Sequence, residues 1–402
     1  MITQKTALPA VDRLEPDELP VWPQYDDTER HALIRALEQG QWWRVGGREV
    51  EEFESEFAAF NGAPYAVAVT NGTAAIELAL RVHGIGPGDE VIVPAFTFVS
   101  TSLAVQNLGA VPVPADVDGG HGCLTVEACR AAITPRTRAI MPVHMAGHVA
   151  DLAGLAALAD EHGCVLIQDA AHSQGASRDG VLVGAAPSVA CYSFQNGKLM
   201  TAGEGGAVTL PDEETYERAY LLHTCGRPRA DVTYQHVTGG TNARMNEFSA
   251  AVLRAQLARL PRQTAIRKER AALLDGLLAE VPGLRTQQRD PRVDVHTQYM
   301  YLLRLEADRY TTEDRNRLVD ELKARGVPAC VNFPPVYRTK SFRAGPAPQT
   351  STEELAERCA ESELFGDLGL WLHHRTLLAE PTVVERLAGT VVSALTAVER
   401  SR

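Results

Sequence analysis

The chain has 402 residues and carries 39 Lys and Arg against 51 Asp and Glu, a net charge of −12. At 45 % hydrophobic and 22 % charged residues its composition is that of an ordinary globular protein, long enough for one large domain and a smaller one. The acidic balance and the lack of a long basic cluster argue against a nucleic-acid surface, and no apolar run reaches the ~18 residues of a membrane span. The N-terminus has no apolar core of signal-peptide length. Seven dispersed cysteines without a C-x-x-C pair read as reduced thiols, so a cytoplasmic protein with small-molecule or protein partners is expected.

The first ~25 residues, rich in Pro, Asp and Glu, read as an irregular arm that packs on something else or frays. Helices are predicted over Asp27–Gly40 and Glu51–Asn61, the second with Phe53, Phe57 and Phe60 on one face. Apolar runs then alternate with helices. The strands are Tyr65–Val69, Glu90–Pro94, Val111–Pro114, Ala139–Val143 and Val165–Asp169. The helices between them are Ala74–Val82, Phe98–Leu108, Thr125–Ala132 and Asp151–His162. Such alternation with mostly apolar strands predicts an α/β fold, a parallel sheet between helices, with ligands at the carboxyl ends of the strands. Met245–Leu274 reads as a long helix interrupted at Pro261, a connector out of the first domain. Beyond it lie a strand over Gln298–Leu305, a helix over Thr311–Arg325, a strand over Pro328–Asn332, and helices over Thr352–Glu363 and Pro381–Val398. Together they suggest a smaller α+β domain. The expected division is an arm and large domain over 1–260 and a small domain over 261–402.

The most informative stretch is Ser193-Phe194-Gln195-Asn196-Gly197-Lys198-Leu199-Met200, followed by Thr201-Ala202-Gly203-Glu204-Gly205-Gly206. It sets one lysine in a loop between two short buried strands. Desolvation there lowers the ammonium pKa and favours the neutral amine that Schiff-base chemistry needs. The alternative is a lysine at the mouth of a tight turn, with the glycines serving only positive φ. Thr70-Asn71-Gly72-Thr73 stands between a strand and a helix, where free N–H groups and a hydroxyl make either a phosphate cradle or a plain helix cap. Asp169 ends a buried strand and needs a cationic partner, such as a protonated pyridine nitrogen, or else caps the next turn. His172 stands beside a cofactor ring or is a core histidine. An aromatic in Pro94-Ala95-Phe96-Thr97-Phe98 stacks on a flat ring or fills the core. His144, also at a strand end, is expected to face the cleft in a polar role; no convincing metal-ligand set accompanies it. Cradle, aromatic, strand-end aspartate and loop lysine together specify a pyridoxal 5'-phosphate site.

With these motifs the chain resembles the fold-type I pyridoxal-phosphate aminotransferase superfamily, in its sugar-aminotransferase (DegT/DnrJ/EryC1/StrS) branch. Gln39 to Arg44, Met141 to Gly147, Ser193 to Gly206, Cys225 to Arg229 and Leu372-His373-His374-Arg375 resemble the 3-amino-5-hydroxybenzoate synthases within that branch. The resemblance implies a large mostly parallel α/β/α domain and a smaller α+β C-terminal domain. It implies roles by position: Lys198 carries the cofactor as a Schiff base, Asp169 pairs with the pyridine nitrogen, and His172 assists beside the ring. Phe98 stacks on the ring, and Gly72, Thr73 and Ser193 hold the phosphate. Asn246 reaches the phosphate of the neighbouring subunit, which requires a homodimer with shared active sites. Tyr337, Arg338, His374 and Arg375 are the implied substrate contacts. Pro334-Pro335 departs from the Arg-Ala expected just before Tyr337, which puts the substrate in question more than the cofactor. The implied reaction is dehydration and aromatisation of 5-amino-5-deoxy-3-dehydroshikimate. The alternative is amino transfer to a keto-sugar or keto-cyclitol from glutamine or glutamate. A non-catalytic binder, for which loss of the lysine is the usual sign, is disfavoured by Lys198.

Overall fold

A computed structural model describes residues 13–15, 17–185, 187–229, 231–342 and 350–402; the first twelve residues of the expected arm lie outside them. The first two helices are α1 (Asp27–Gln39) and α2 (Glu49–Phe60). Asp26 opens α1 with a capping box to Glu29, and Gly40 closes it in the left-handed region at φ 69°. Strands β1 (Tyr65–Val69), β2 (Glu90–Pro94), β3 (Val111–Ala115), β4 (Thr137–Ile140) and β5 (Val165–Asp169) alternate with α3 (Gly72–Val82), α4 (Ser100–Asn107), α5 (Val126–Ala132) and α6 (Leu152–His162). A short hairpin, β6 (Ser177–Arg178) and β7 (Val181–Leu182), precedes β8 (Val189–Ser193) and β9 (Gly206–Leu210).

The main sheet has seven strands in the order β1-β9-β8-β5-β4-β2-β3. Every strand runs parallel except β9, which is antiparallel to both of its neighbours. The reversal has a local cause. Parallel neighbours need a crossover connection, and the segment from Phe194 to Gly205 contains no helix, so the chain returns antiparallel with Ser193 facing Gly206. The lysine loop is therefore the tip of that return. Alternation along β1 shows how the sheet is buried on both faces: Val67 and Val69 pack with α3, while Ala66 and Ala68 pack with Phe53 and Phe57 of α2.

Helices α7 (Glu213–His223) and α8 (Glu247–Leu278) follow, then β10 (Leu284–Thr286), β11 (Met300–Leu305), α9 (Thr312–Ala324) and β12 (Ala329–Val331). The chain ends with α10 (Thr352–Arg358), α11 (Ala360–Leu368), β13 (Gly369–His373) and α12 (Pro381–Arg400). A second, four-stranded sheet has the order β10-β11-β13-β12. Its core joins Leu303, Leu318, Leu370 and Leu387 to Leu274 and Leu278 from the end of α8, and Leu14 and Leu19 of the N-terminal arm are buried in it. The part of the arm that is described thus packs against the C-terminal portion of the chain.

Three expectations need correction. Pro261 does not interrupt α8, which runs unbroken for 32 residues; a proline removes one ladder bond, and packing on α1, α2 and α12 holds the helix through it. The helix expected over 352–363 is two helices that break at Cys359, where the Asp116 carboxylate accepts the N–H groups of Glu361 (3.0 Å) and Ser362 (2.9 Å). The strand expected over 139–143 stops at Ile140, and Val143 keeps a lone bridge to Asp169, with Pro142 offering no donor between them. Helix α7 and strands β10 and β13 have no counterpart in the reading of the sequence.

Candidate active site

The carboxyl ends of β1, β2, β5 and β8 border a cavity of about 680 Å³. Asn71, Gly72, Thr73, Phe98, Asp169, His172, Ser193 and Lys198 all line it, although they span more than a hundred residues of chain. Asp169 leaves β5 buried. Its Oδ2 accepts the Thr101 hydroxyl at 2.8 Å and its Oδ1 accepts the Ala171 N–H at 3.1 Å. Burial pushes this carboxyl above its ordinary value, opposed by those two donors and by the charge of Lys198. A cation placed against it would offset the burial cost.

Lys198 sits in a turn in which its N–H donates to the Gln195 carbonyl at 2.8 Å. Its Nζ lies 4.4 Å from the centroid of the Tyr299 ring. Burial lowers its pKa to about 8, against the smaller opposing pull of Asp169. An amine near neutrality is what Schiff-base chemistry and proton transfer both require. Tyr299 also stacks on His172, with ring centroids 4.3 Å apart at 25°. His172 is buried, its imidazole is held neutral by burial, and its Nδ1 has no partner among the described residues.

At the other end of the cavity the first turn of α3 meets Ser193. Asn71 caps α3 by accepting from the Ala74 N–H at 2.9 Å. A Cβ on Gly72 would lie 2.7 Å from the Ser193 Cβ, so only glycine permits this approach. Thr73 Oγ1 donates to Ser100 Oγ at 3.1 Å, which adds hydroxyls beside the helix N-terminus. Such a cradle suits a phosphate. Phe98 is 51 % exposed over the cavity and meets Phe333 edge-on at 5.6 Å, leaving a ring face open. Cradle, open aromatic face, carboxylate seeking a cation and orphaned imidazole nitrogen all fit pyridoxal 5'-phosphate.

The other expected residues stand elsewhere. Asn246 caps α8 by accepting from Ser249 N–H at 2.9 Å; it is exposed and does not line this cavity. The Tyr337 hydroxyl donates to Glu363, and Arg338 is held by Glu363 and by Asp367 at 2.8 Å. The Arg338 charge is thus already neutralised, and neither residue lines the cavity. Arg375 reaches the Pro20 carbonyl at 3.4 Å, and Phe333, not Pro334 or Pro335, faces the cavity. His374 is buried and donates from Nε2 to the Gly197 carbonyl at 3.1 Å, so it supports the lysine loop rather than lining the cavity. His144 does not face the cleft either: it is fully buried, bonded through Nε2 to Gln168 and accepting the Ala150 N–H on Nδ1. Thr97, Thr101, Tyr299, Phe333 and Trp371 were not foreseen. Thr101 lies in the run after β2 and could be suspected; Tyr299 stands just before β11 and Trp371 within β13, and no local pattern marks them as site residues.

Among the described residues one cluster has metal-ligand composition. Side-chain donors of His121, Cys123 and His148 lie within 4.8 Å of one another. However, His121 Nδ1 accepts the Cys123 N–H and His148 Nε2 accepts the Asp290 N–H. The His121 Nε2 lies 3.4 Å from Asp118 Oδ1, and the His121 and His148 rings stack at 12°.

Fold and site together define a pyridoxal-phosphate enzyme. Residues 24–390 match the DegT/DnrJ/EryC1/StrS aminotransferase family, and the chain belongs to it. Its cofactor is pyridoxal 5'-phosphate. The chain is 54 % identical over 380 residues to a 3-amino-5-hydroxybenzoate synthase of Amycolatopsis mediterranei (strain S699), covering 94 % of this chain and 97 % of that protein. A crystal structure of 3-amino-5-hydroxybenzoic acid synthase superposes with a TM-score of 0.92 at 54 % identity, covering 94 % of this chain and 99 % of that one. This chain is also 41 % identical over 340 residues to dTDP-3-amino-3,4,6-trideoxy-alpha-D-glucose transaminase of Streptomyces venezuelae, covering 84 % of this chain and 86 % of that protein.

Proposed function

We infer that the chain is a 3-amino-5-hydroxybenzoate synthase, which dehydrates and aromatises 5-amino-5-deoxy-3-dehydroshikimate for antibiotic biosynthesis. The observation that carries this reading is the 54 % identity to such a synthase along nearly the whole chain. In the site we propose, Lys198 carries the cofactor, the first turn of α3 and Ser193 hold its phosphate, Phe98 and His172 flank its ring, and Asp169 holds the proton on its ring nitrogen. When bound, pyridoxal phosphate supplies an electron sink for charge developing on the substrate's amine-bearing carbon. The Lys198 amine, set free when the substrate's amine takes its place on the cofactor, takes the proton from that carbon at Nζ, and the resulting ammonium is the acid that protonates the departing hydroxyl, which leaves as water. Phe98, Phe333 and Trp371 give the cavity an apolar wall.

Amino transfer is the second reading, favoured by the similarity to a transaminase; the same lysine and aspartate serve it. The test is to give cofactor-loaded protein aminodehydroshikimate with no amino donor and to follow products by mass spectrometry. Loss of one water with appearance of an aromatic amine supports the synthase. No product, from protein that converts its cofactor to the pyridoxamine form with glutamine, replaces that reading with amino transfer.

We further propose a homodimer in which Asn246 reaches the partner's phosphate. Leu33, Ile34, Leu37, Trp42, Trp43 and Val45 form an exposed apolar surface on and after α1, and such a patch is expected at an interface. The division into domains near residue 260, within α8, and residence in the reducing cytoplasm, which suits seven unpaired thiols, belong to the same proposal. Among the described residues no helix is long and apolar enough to cross a membrane.

A further inference from the structure

The two carbonyls just before Lys198 belong to Asn196 and Gly197, in the loop between β8 and β9. Each accepts a ring N–H from a remote part of the chain. The Trp22 indole, on the N-terminal arm, donates Nε1–H to the Asn196 carbonyl at 2.9 Å. His374, at the end of β13, donates Nε2–H to the Gly197 carbonyl at 3.1 Å. The two rings also meet edge to face, with centroids 4.4 Å apart at 87°. The arm and the second sheet thus close on one peptide segment of the first sheet.

We propose that Trp22 and His374 are positioning residues for the reaction, a two-ring clamp that fixes the backbone carrying Lys198 and so fixes its amine against the cofactor and the substrate. The proposal rests on the assignment of Lys198 as the cofactor-bearing lysine. The C-terminal side of the loop is fixed by the buried Leu199 and Met200 and by the Thr201 hydroxyl on the Phe194 carbonyl, whereas on the N-terminal side the turn itself supplies Lys198 N–H to the Gln195 carbonyl and Gly197 N–H to Gln195 Oε1. Anchoring the two preceding carbonyls ties down that N-terminal side before the substrate arrives. Burial, with His373 and Arg267 nearby, keeps the His374 ring neutral, so its single proton is committed to the Gly197 carbonyl. Trp22 contributes from within the arm that the sequence marks only as irregular.

The test compares Trp22→Phe, His374→Phe, His374→Gln and the double Phe variant as cofactor-loaded proteins, each checked for an unchanged thermal midpoint. The readouts are the dissociation constant for pyridoxal phosphate, the induced circular dichroism of the bound cofactor, and kcat and KM separately. Borohydride trapping with peptide mapping is run alongside to locate the cofactor-bearing lysine. Each Phe variant is expected to weaken cofactor binding and lower kcat about fivefold, the worth of one neutral hydrogen bond, with KM within about twofold. His374→Gln, which keeps a donor at similar reach, is expected to recover most of the loss. The double variant is expected to lose less than the product of the singles, because the rings support each other. Unchanged binding, dichroism and kcat in both single variants, with trapping still on Lys198, overturn the clamp and leave the site assignment standing. Trapping of wild-type protein at another lysine overturns both. A His374→Gln variant as impaired as His374→Phe also overturns the clamp, because it leaves only a packing role for the ring.

Discussion

The Lys198 amine offers a prediction with a worked magnitude and opposite signs in two variants. Its pKa falls from 10.5 to about 8 through burial. At pH 7.5 about a quarter of the side chains are then neutral, against roughly one in a thousand for an unperturbed lysine. The midpoint is measured on cofactor-free protein by competitive acetylation between pH 6 and 11, with mass spectrometry of the peptide that contains Lys198. Wild-type protein is expected to titrate near 8. Asp169→Asn removes a negative charge that favours the ammonium, so the midpoint moves down. Tyr299→Ala removes the ring 4.4 Å from Nζ and admits water, so the midpoint moves up. Stability gives an independent check. The unfolded chain holds the Lys198 proton up to its higher pKa, so between about 8 and 10.5 it binds more protons than the folded state, and the stability of cofactor-free protein rises with pH across that window. Below it the buried charge costs up to about 3 kcal/mol, and Lys198→Met is expected to recover part of this at pH 7, with the gain fading towards pH 10.5. A wild-type midpoint near 10.5, or an upward shift in Asp169→Asn, refutes the electrostatic account.

Other outcomes follow from the same geometry. Gly72→Ala places a methyl 2.7 Å from the Ser193 Cβ, so the cradle must open, and the dissociation constant for pyridoxal phosphate is expected to rise at least about tenfold in a fluorescence titration. Thr101→Val removes the 2.8 Å donor to a buried carboxylate, a change of about 1.5–3 kcal/mol; kcat is expected to fall about ten- to a hundredfold while cofactor absorbance persists. Arg338→Ala breaks part-exposed pairs with Glu363 and Asp367, so stability in urea is expected to change by no more than about 1 kcal/mol and KM by less than about twofold; a tenfold rise in KM would restore Arg338 as a substrate contact. Mixing Lys198→Ala with Asn246→Ala protein tests the shared site: hybrid dimers pair one wild-type site with one doubly altered site, so activity is expected to rise above that of either parent, and no rise speaks against an Asn246 role across the interface.

The apolar strands and the polar residues that end them were legible in the chain because each is a local pattern. An apolar run of strand length followed by Asp169 or Thr70-Asn71-Gly72-Thr73 shows its meaning within ten residues. Loop Lys198, strand-end Asp169 and the Thr70–Thr73 cradle are such patterns, Ser193 joins them only through the family resemblance, and the structure brings them to one cavity. Helix α7 and strand β13 were not legible. Strand β13 is a central strand of the second sheet, where tertiary pairing with β11 and β12 outweighs its local signal.

The sequence by itself determined the α/β class, the strand ends that carry chemistry, and the lysine that stands in a buried loop, since periodicity and residue type act over short range. Only the tertiary structure decided which polar side chains are free to act. Arg338 and His144 look like functional groups in the chain, yet one is neutralised by Glu363 and Asp367 and the other is fully bonded by Gln168 and Ala150. Conversely, Thr101, Tyr299, Trp22 and His374 acquire their places around Asp169 and Lys198 from segments tens to nearly two hundred residues away. A side chain's availability is set by its partners, and partners so distant in the chain are chosen by how the sheets and the arm pack, which no local pattern records.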